Sequence, residues 1–187
     1  TELGLRYRVP LPQTGATTHS LVAGLDFKRT NNNLAFGGYA VFNGSTDIAQ
    51  AVLAYSANRP DSHGATSGTL TVALSPGGLT AHNHDSDFAQ ARSFARAEYA
   101  LARLELERIT NLPAGFSWRS RATAQFATAS LLGSEQLGLG GSANLRGYEE
   151  RELNCDNGLI LVNELHAPAM HPVRRSRLRH PDHLDPY

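Results

Sequence analysis

The sequence predicts an all-β fold of antiparallel strands, and three observations carry that prediction. Apolar residues recur with period two in most of the ordered-looking segments. Short and long connections alternate between those segments. No apolar run approaches the ~18 residues of a membrane-spanning helix. Side chains of a strand point alternately to its two faces, so each segment presents one apolar and one mixed or polar face.

The segments follow in order. From His19 to Lys28, Leu21, Ala23, Leu25 and Phe27 share one face, and Val22, Gly24, Asp26 and Lys28 the other. Thr30 to Asn33 reads as a loop, because three consecutive Asn favour turns. Asp47 to Ala57 is the next strand, with Ala51, Leu53, Tyr55 and Ala57 aligned, and Asn58-Arg59-Pro60-Asp61 the turn after it. Thr66 to Ser75 follows, with Leu70, Val72 and Leu74 opposite Thr69, Thr71 and Ala73, and Ser75-Pro76-Gly77-Gly78 ends it. Asp87 to Ile109 is rich in Ala, Leu, Glu and Arg, which favours helix by propensity. Yet Ala97, Tyr99 and Leu101 alternate with Arg96, Glu98 and Ala100, and this predicts a long strand from Phe94 to Arg108.

Phe116 to Thr128 is the clearest strand. Phe116, Trp118, Ser120, Ala122, Ala124 and Phe126 line one face. Ser117, Arg119, Arg121, Thr123, Gln125 and Ala127 line the other. Arginines at alternate positions fit either a solvated sheet face or a water-filled lumen. Gly158 to His166 completes the set, with Leu159, Leu161 and Leu165 facing away from Glu164 and His166. Strands recur about every 20 residues, wider than the 8–12 of a compact sandwich. Short turns at one end and long loops at the other are the asymmetry of a transmembrane barrel. Alternation alone fits a soluble β-sandwich as well; with the loop motifs described below, the expected fold class is an antiparallel transmembrane β-barrel, here a partial barrel of about seven strands over residues 1–168. Phe27, Leu53, Tyr55, Leu70, Val72, Leu74, Trp118 and Phe126 are expected on its convex, lipid-facing side. Arg119, Arg121, Gln125 and Glu164 are expected on the concave, lumen-facing side.

Composition narrows the function classes. The net charge is zero, and charged residues make up 18% of the chain against 41% hydrophobic. No basic stripe points to nucleic acid. Cys155 is the one cysteine, which excludes an internal disulfide framework and the usual zinc spacings. His82, His84, Asp85 and Asp87 cluster, but their spacing fits no metal motif and reads as an exposed polar loop. Gly138-Leu139-Gly140-Gly141-Ser142-Ala143 matches a loose dinucleotide fingerprint without the strand before it or the helix after it. Asn43-Gly44-Ser45 is a formal glycosylation sequon. No nucleophile–base arrangement stands out, so no enzyme, metal or cofactor is expected.

A long Gly-rich connection, residues 131–157, separates the last two strands, and loops of this length in a compact domain are usually functional. It contains Leu132-Gly133-Ser134-Glu135-Gln136, Gly138 to Gly141, the tetrad Leu145-Arg146-Gly147-Tyr148, the charged run Glu149 to Glu152, and Asp156-Asn157-Gly158. With Asn163-Glu164-Leu165 and the upstream Ser75-Pro76-Gly77-Gly78, this ordered set resembles the two-partner secretion transporters of the bacterial outer membrane. They are a branch of the superfamily that includes the barrel-assembly insertases. The resemblance covers roughly Thr1 to Pro168. It departs at Cys155, where Gly is expected, and at Leu145, in place of Val or Ile.

The resemblance implies a pore that exports a secreted partner exoprotein, of haemolysin or adhesin type, in unfolded form. The sixth loop would fold back into the lumen, and its Arg would pair with an acidic group on the inner wall. Arg146 suits that role, with a permanent charge and a rigid fork of donors. Gly147 permits a close or left-handed turn, and Tyr148 can pack its ring while its hydroxyl stays wet. Residues 169–187 carry Arg, His and Pro without alternation and read as a disordered or non-native tail, with closing strands and upstream domains missing from the chain. The alternatives are a barrel-assembly insertase of the same superfamily and a soluble β-sandwich that binds a ligand through its loops.

Overall fold

The computed structural model describes residues 1–36, 39–142 and 144–168. The elements are β1 (Glu2–Pro10), β2 (Thr18–Phe36), β3 (Tyr39–Asp61), β4 (Gly64–Pro76), α1 (Asp85–Ala91), β5 (Glu98–Asn111), β6 (Ser117–Ala127), β7 (Leu137–Leu139), β8 (Leu153–Cys155) and β9 (Gly158–His166). Seven of the strands form one sheet in the order β1-β2-β3-β4-β5-β6-β9, and β7 and β8 form a separate pair. Every ladder is antiparallel. Among the described residues, β1 and β9 are the edges of the sheet, which does not close into a barrel. The sequence stretch expected to form a tail, 169–187, lies outside the described residues.

Period two places the side chains. The row Leu21, Tyr55, Leu70, Leu104, Ala124 and Leu159 runs through six strands on one face. All eight residues expected on the apolar side share that face. Much of it stands exposed, including Leu53, Tyr55, Leu70, Leu74, Trp118 and Phe126, with Leu3, Leu5 and Tyr7 at the β1 edge and Leu159, Leu161 and Leu165 at the β9 edge. The opposite face carries Ser20, Ser56, Thr69, Glu105, Thr123 and Ile160 in the adjoining row. One cleft of about 730 Å³ touches residues of β2, β3, β4, β5, β6 and β9 on that face. A single cleft can meet six successive strands only if the sheet curls around it, so the polar face is the concave one.

Three boundaries differ from the sequence reading. Thr30 to Asn33 is not a loop. β2 runs through it, pairing Asn31 with Ser45 and Asn32 with Gly44, and Asn31 Oδ1 accepts the Ser45 hydroxyl at 3.1 Å. A continuous ladder satisfies the backbone that Asn would otherwise serve locally. Asn58 to Asp61 still belongs to β3, and the turn is Ser62-His63. Residues 2–10, which no segment claimed, form β1, with Leu3, Leu5, Tyr7 and Val9 at alternate positions.

The strand expected from Phe94 to Arg108 is real but shifted, to Glu98–Asn111. The helical propensity upstream yields only the short α1. Phe94 then takes a positive φ of 66°, which breaks any continuation. The buried core is small and lies at the loop end of the concave face. Ile48, Ala73, Tyr99, Leu101 and Ala127 from the strands meet Phe88, Ala95, Ala97, Leu131 and Leu132 from the two long connections. Burying Phe88 completely contributes about 1.5–3 kcal/mol toward holding α1 against the sheet. The convex face of the sheet stands uncovered along most of its length.

The connection after β4 is tied to β3 near Asp47. Beyond the end of β4, the β3 edge is met by residues 78–83. The Asp47 amide donates to the His82 carbonyl at 2.8 Å, and Asn83 Nδ2 donates to the Asp47 carbonyl at 2.7 Å. The Asp47 carboxylate, fully buried, takes Arg29 in a two-pronged pair at 2.7 Å on each arm and the Thr80 hydroxyl at 2.7 Å. A buried carboxylate is tolerated because each oxygen has a donor. His84 and Asp87, from the histidine–acid cluster, cap α1: the His84 amide donates to Asp87 Oδ2 at 3.2 Å. Asp85 accepts the Ala97 amide at 2.8 Å.

Candidate functional site

The loop from 128 to 157 lies against the concave face, and three sets of contacts shape it. At its return to the sheet stands Asp156. Arg92 holds it with both guanidinium arms, at 2.8 and 3.0 Å, and Oδ1 also accepts the Leu131 amide and Gln136 Nε2, each at 3.0 Å. Partial burial pushes this carboxyl up. The Arg92 pair, the Leu131 amide and Gln136 outweigh that and leave it below its ordinary value. Asn157 Oδ1 accepts the Ala127 amide at 2.6 Å, and Gln125 Nε2 donates to the Asp156 carbonyl at 3.0 Å. The loop therefore starts and ends on one polar knot.

The stem is the β7–β8 pair, which the sequence did not announce. Asn144 ties its turn, accepting the Gly140 amide at 2.8 Å and donating to the Gly138 carbonyl at 3.0 Å. Arg151 crosses beneath, donating to the carbonyls of Gly133 at 2.6 Å and Gln136 at 2.9 Å. Two glycines are required here. A Cβ on Gly140, whose φ is +119°, would sit 2.2 Å from the Glu149 carbonyl oxygen, and one on Gly138 would meet Arg151 at 2.7 Å.

The tip carries the tetrad. Leu145 closes back on Gly141, its amide 3.1 Å from the Gly141 carbonyl. Gly147 has a φ of +95° with open space around it. Tyr148 is exposed. Arg146 reaches Glu164 on β9, Nη2 against Oε1. The Arg146 side chain is 74% exposed and that of Glu164 14%, so the acid is fixed in the wall and the base comes to it.

Glu164 is the meeting point of a charged wall. Arg121 Nη2 lies 3.6 Å from it and His166 Nε2 3.7 Å. Its register partner across the ladder, Arg119, turns instead to Glu107 at 2.6 Å. Gln125 sits deeper, taking Arg103 at 2.5 and 2.8 Å on its Oε1. The four residues expected on the concave side, Arg119, Arg121, Gln125 and Glu164, thus share that face. Trp118 lies opposite, its indole donating to Asn163 at 3.2 Å. The residues that fasten the loop, Asp156, Arg92 and Glu135, had no assigned role in the sequence. Their only signal was that Glu135 and Asp156 fall within the motif stretches.

A single sheet with an apolar outer face, a polar inner face and a long loop folded onto the inner face is a sector of a transmembrane β-barrel. No helix among the described residues is long and apolar enough to cross a membrane, and strands do the crossing in this class. The chain belongs to the haemolysin secretion/activation protein ShlB/FhaC/HecB family, whose model matches residues 2–180. That match extends past Pro168, where the motif resemblance was expected to stop. Among solved structures, CdiB from Escherichia coli shares the fold with a TM-score of 0.68 at 20% identity, over 88% of this chain. The chain spans 29% of the length of CdiB. No curated protein matches it.

Proposed function

We propose that this chain is part of an outer-membrane pore that exports a secreted partner protein, and that Arg146 is the residue through which its inward loop works. Family membership supports the transport class. The observation that carries the reading for this chain is the reach of Arg146 from the loop tip to Glu164 on the concave wall. A loop held there is fixed inside the space that a polypeptide would use, and passage depends on that fixed position; a released loop leaves a leaky pore that no longer guides the polypeptide. Apolar residues facing out suit contact with lipid, and the Arg119, Arg121, Gln125 and Glu164 face suits a water-filled interior.

The soluble-sandwich alternative needs a second sheet packed on the first. Among the described residues the only other sheet is the β7–β8 pair inside the loop. The insertase alternative has the same kind of barrel but finds no specific support in this chain. Export is tested in cells of the source organism that carry the whole gene, with exoproteins in the medium compared between the wild type and a strain lacking it. Deleting the transporter should remove the exoprotein from the medium and leave it in the periplasm. Undiminished secretion would exclude the reading.

A further inference from the structure

The stretch Leu132 to Gln136 has so far only its family likeness, but Glu135 occupies an unusual position. Its side chain is 7% exposed. The carboxylate accepts Lys28 Nζ at 2.8 Å, Gln50 Nε2 at 3.3 Å and the neighbouring Ser134 hydroxyl at 3.3 Å. Gln50 is held in turn by the buried Tyr99, whose hydroxyl donates to its Oε1 at 2.9 Å. The backbone carbonyl of Glu135 points the other way and accepts Arg103 Nη2 and Gln125 Nε2, each at 3.2 Å. Lys28 and Gln50 stand on β2 and β3, Arg103 and Gln125 on β5 and β6. One loop residue therefore joins two walls of the concave face that β4 separates.

We infer that Glu135 is a positioning residue that straps the loop across the concave face, with Lys28 as its ionic partner on the far wall, and so holds the closed arrangement from which Arg146 reaches Glu164. The inference rests on the pore reading proposed above. Charge complementarity and burial argue for a specific strap. A nearly buried carboxylate needs a compensating cation, and Lys28 Nζ is the cation in contact with it. Geometry also argues that the strap is releasable. Lys28 Nζ lies 3.8 Å from Glu2, so a second acid stands ready when Glu135 leaves. Arg146 and Glu135 then hold two ends of one loop: the tip on β9, and the segment just before the stem on β2 and β3. Losing either should favour displacement.

The test uses the full-length protein in cells and purified into planar bilayers. The variants are Glu135→Gln, Lys28→Met and the exchanged pair Lys28→Glu with Glu135→Lys. Entry of vancomycin and single-channel open probability are read, with barrel folding checked by heat-modifiable migration. A minor open state of such a two-state device holds about 0.1–10% of the population, and each single variant should raise it roughly tenfold. The exchanged pair should return it to the wild-type level, which a merely structural loss would not do. Folded single variants with wild-type permeability, or an exchanged pair as leaky as the singles, would overturn the strap. If Glu135→Gln does not fold, Lys28→Met decides by the same criteria, since it leaves Glu135 its bonds to Gln50 and Ser134. A conducting Arg146→Ala beside a quiet Glu135→Gln removes the strap alone. Silence of the wild type and every variant removes the pore reading with it.

Discussion

Arg146 and Glu164 lie 18 residues apart in sequence and meet side chain to side chain, joining the exposed tip of the loop to a shielded acid on the concave wall. Arg119, the register partner of Glu164, is engaged by Glu107. Glu164 is thereby left to Arg146, with Arg121 and His166 at longer range. The loop thus arrives at an acid that its own wall has not neutralised by a close pair.

The two faces should respond oppositely to charge. Leu161→Arg places a cation on the apolar side, where a lipid-facing Arg costs ~2–4 kcal/mol near the bilayer midplane. Ile160→Arg, one residue away, places it on the concave face. Heat-modifiable migration of membrane-extracted protein should show loss of folded barrel for the first and near-normal folding for the second. Equal loss in both would mean the faces are misassigned.

Much of this was legible from alternation alone. Trp118 and Arg119 fall on opposite faces as period two demands, and Leu53, Tyr55, Leu70 and Leu74 stand where the pattern puts them. Helical propensity in the Ala- and Glu-rich stretch gave way to pairing of β5 with β4 and β6. What alternation could not show is contact between distant segments. Arg92 and Asp156 are 64 residues apart, Lys28 and Glu135 107. Neither pair leaves a local signature, because side chains that meet only after the loop folds back share no spacing rule. The Asn31 to Asn33 run failed for a related reason: turn preference is local, and a long hairpin overrode it.

Asp156 should make loop anchoring sensitive to acid. Its carboxyl titrates below the ordinary value in the folded state. Its contribution is therefore complete above the unfolded value of ~3.9 and fades as pH falls through the lower folded value. Hydrogen exchange at the Leu131 amide, which donates to Asp156, should show constant protection from pH 7 to about 4 and decline below that. Asp156→Asn should lose part of that protection even at neutral pH. Protection unchanged in the variant would detach Asp156 from the knot.

Gly140→Ala should disturb the stem without touching a charge. Its φ of +119° and the 2.2 Å approach to the Glu149 carbonyl make a methyl group unacceptable unless the β7–β8 turn rearranges. Strain of this kind costs about 1–3 kcal/mol. Trypsin should then cut faster at Arg146 and Arg151 while the barrel band persists. Unaltered cleavage would show that the turn has room to spare.

The isolated polypeptide of these 187 residues should not behave as a stable barrel. Among the described residues no strand pairs with the outer edge of β1 or β9, and backbone groups without partners cost several kcal/mol each in lipid. Expressed alone and refolded in detergent, it should aggregate or associate edge to edge. A monodisperse, heat-modifiable monomer would contradict this.

Secretion by an Arg146 variant at matched barrel levels tests the central claim most directly. With Arg146 74% exposed, the pair contributes only ~0.2–1 kcal/mol to stability, so its loss should leave the barrel folded and act on the position of the loop. Arg146→Ala should reduce export of the partner protein sharply while the barrel stays in the outer membrane. Arg146→Lys should restore little, because an ammonium lacks the guanidinium fork. The measurement is exoprotein in the medium, normalised to transporter quantified by blot in the membrane fraction. Strong loss in the Ala variant with at most slight recovery in the Lys variant is the predicted result. Wild-type export from Arg146→Ala would make the contact with Glu164 incidental and would contradict the account.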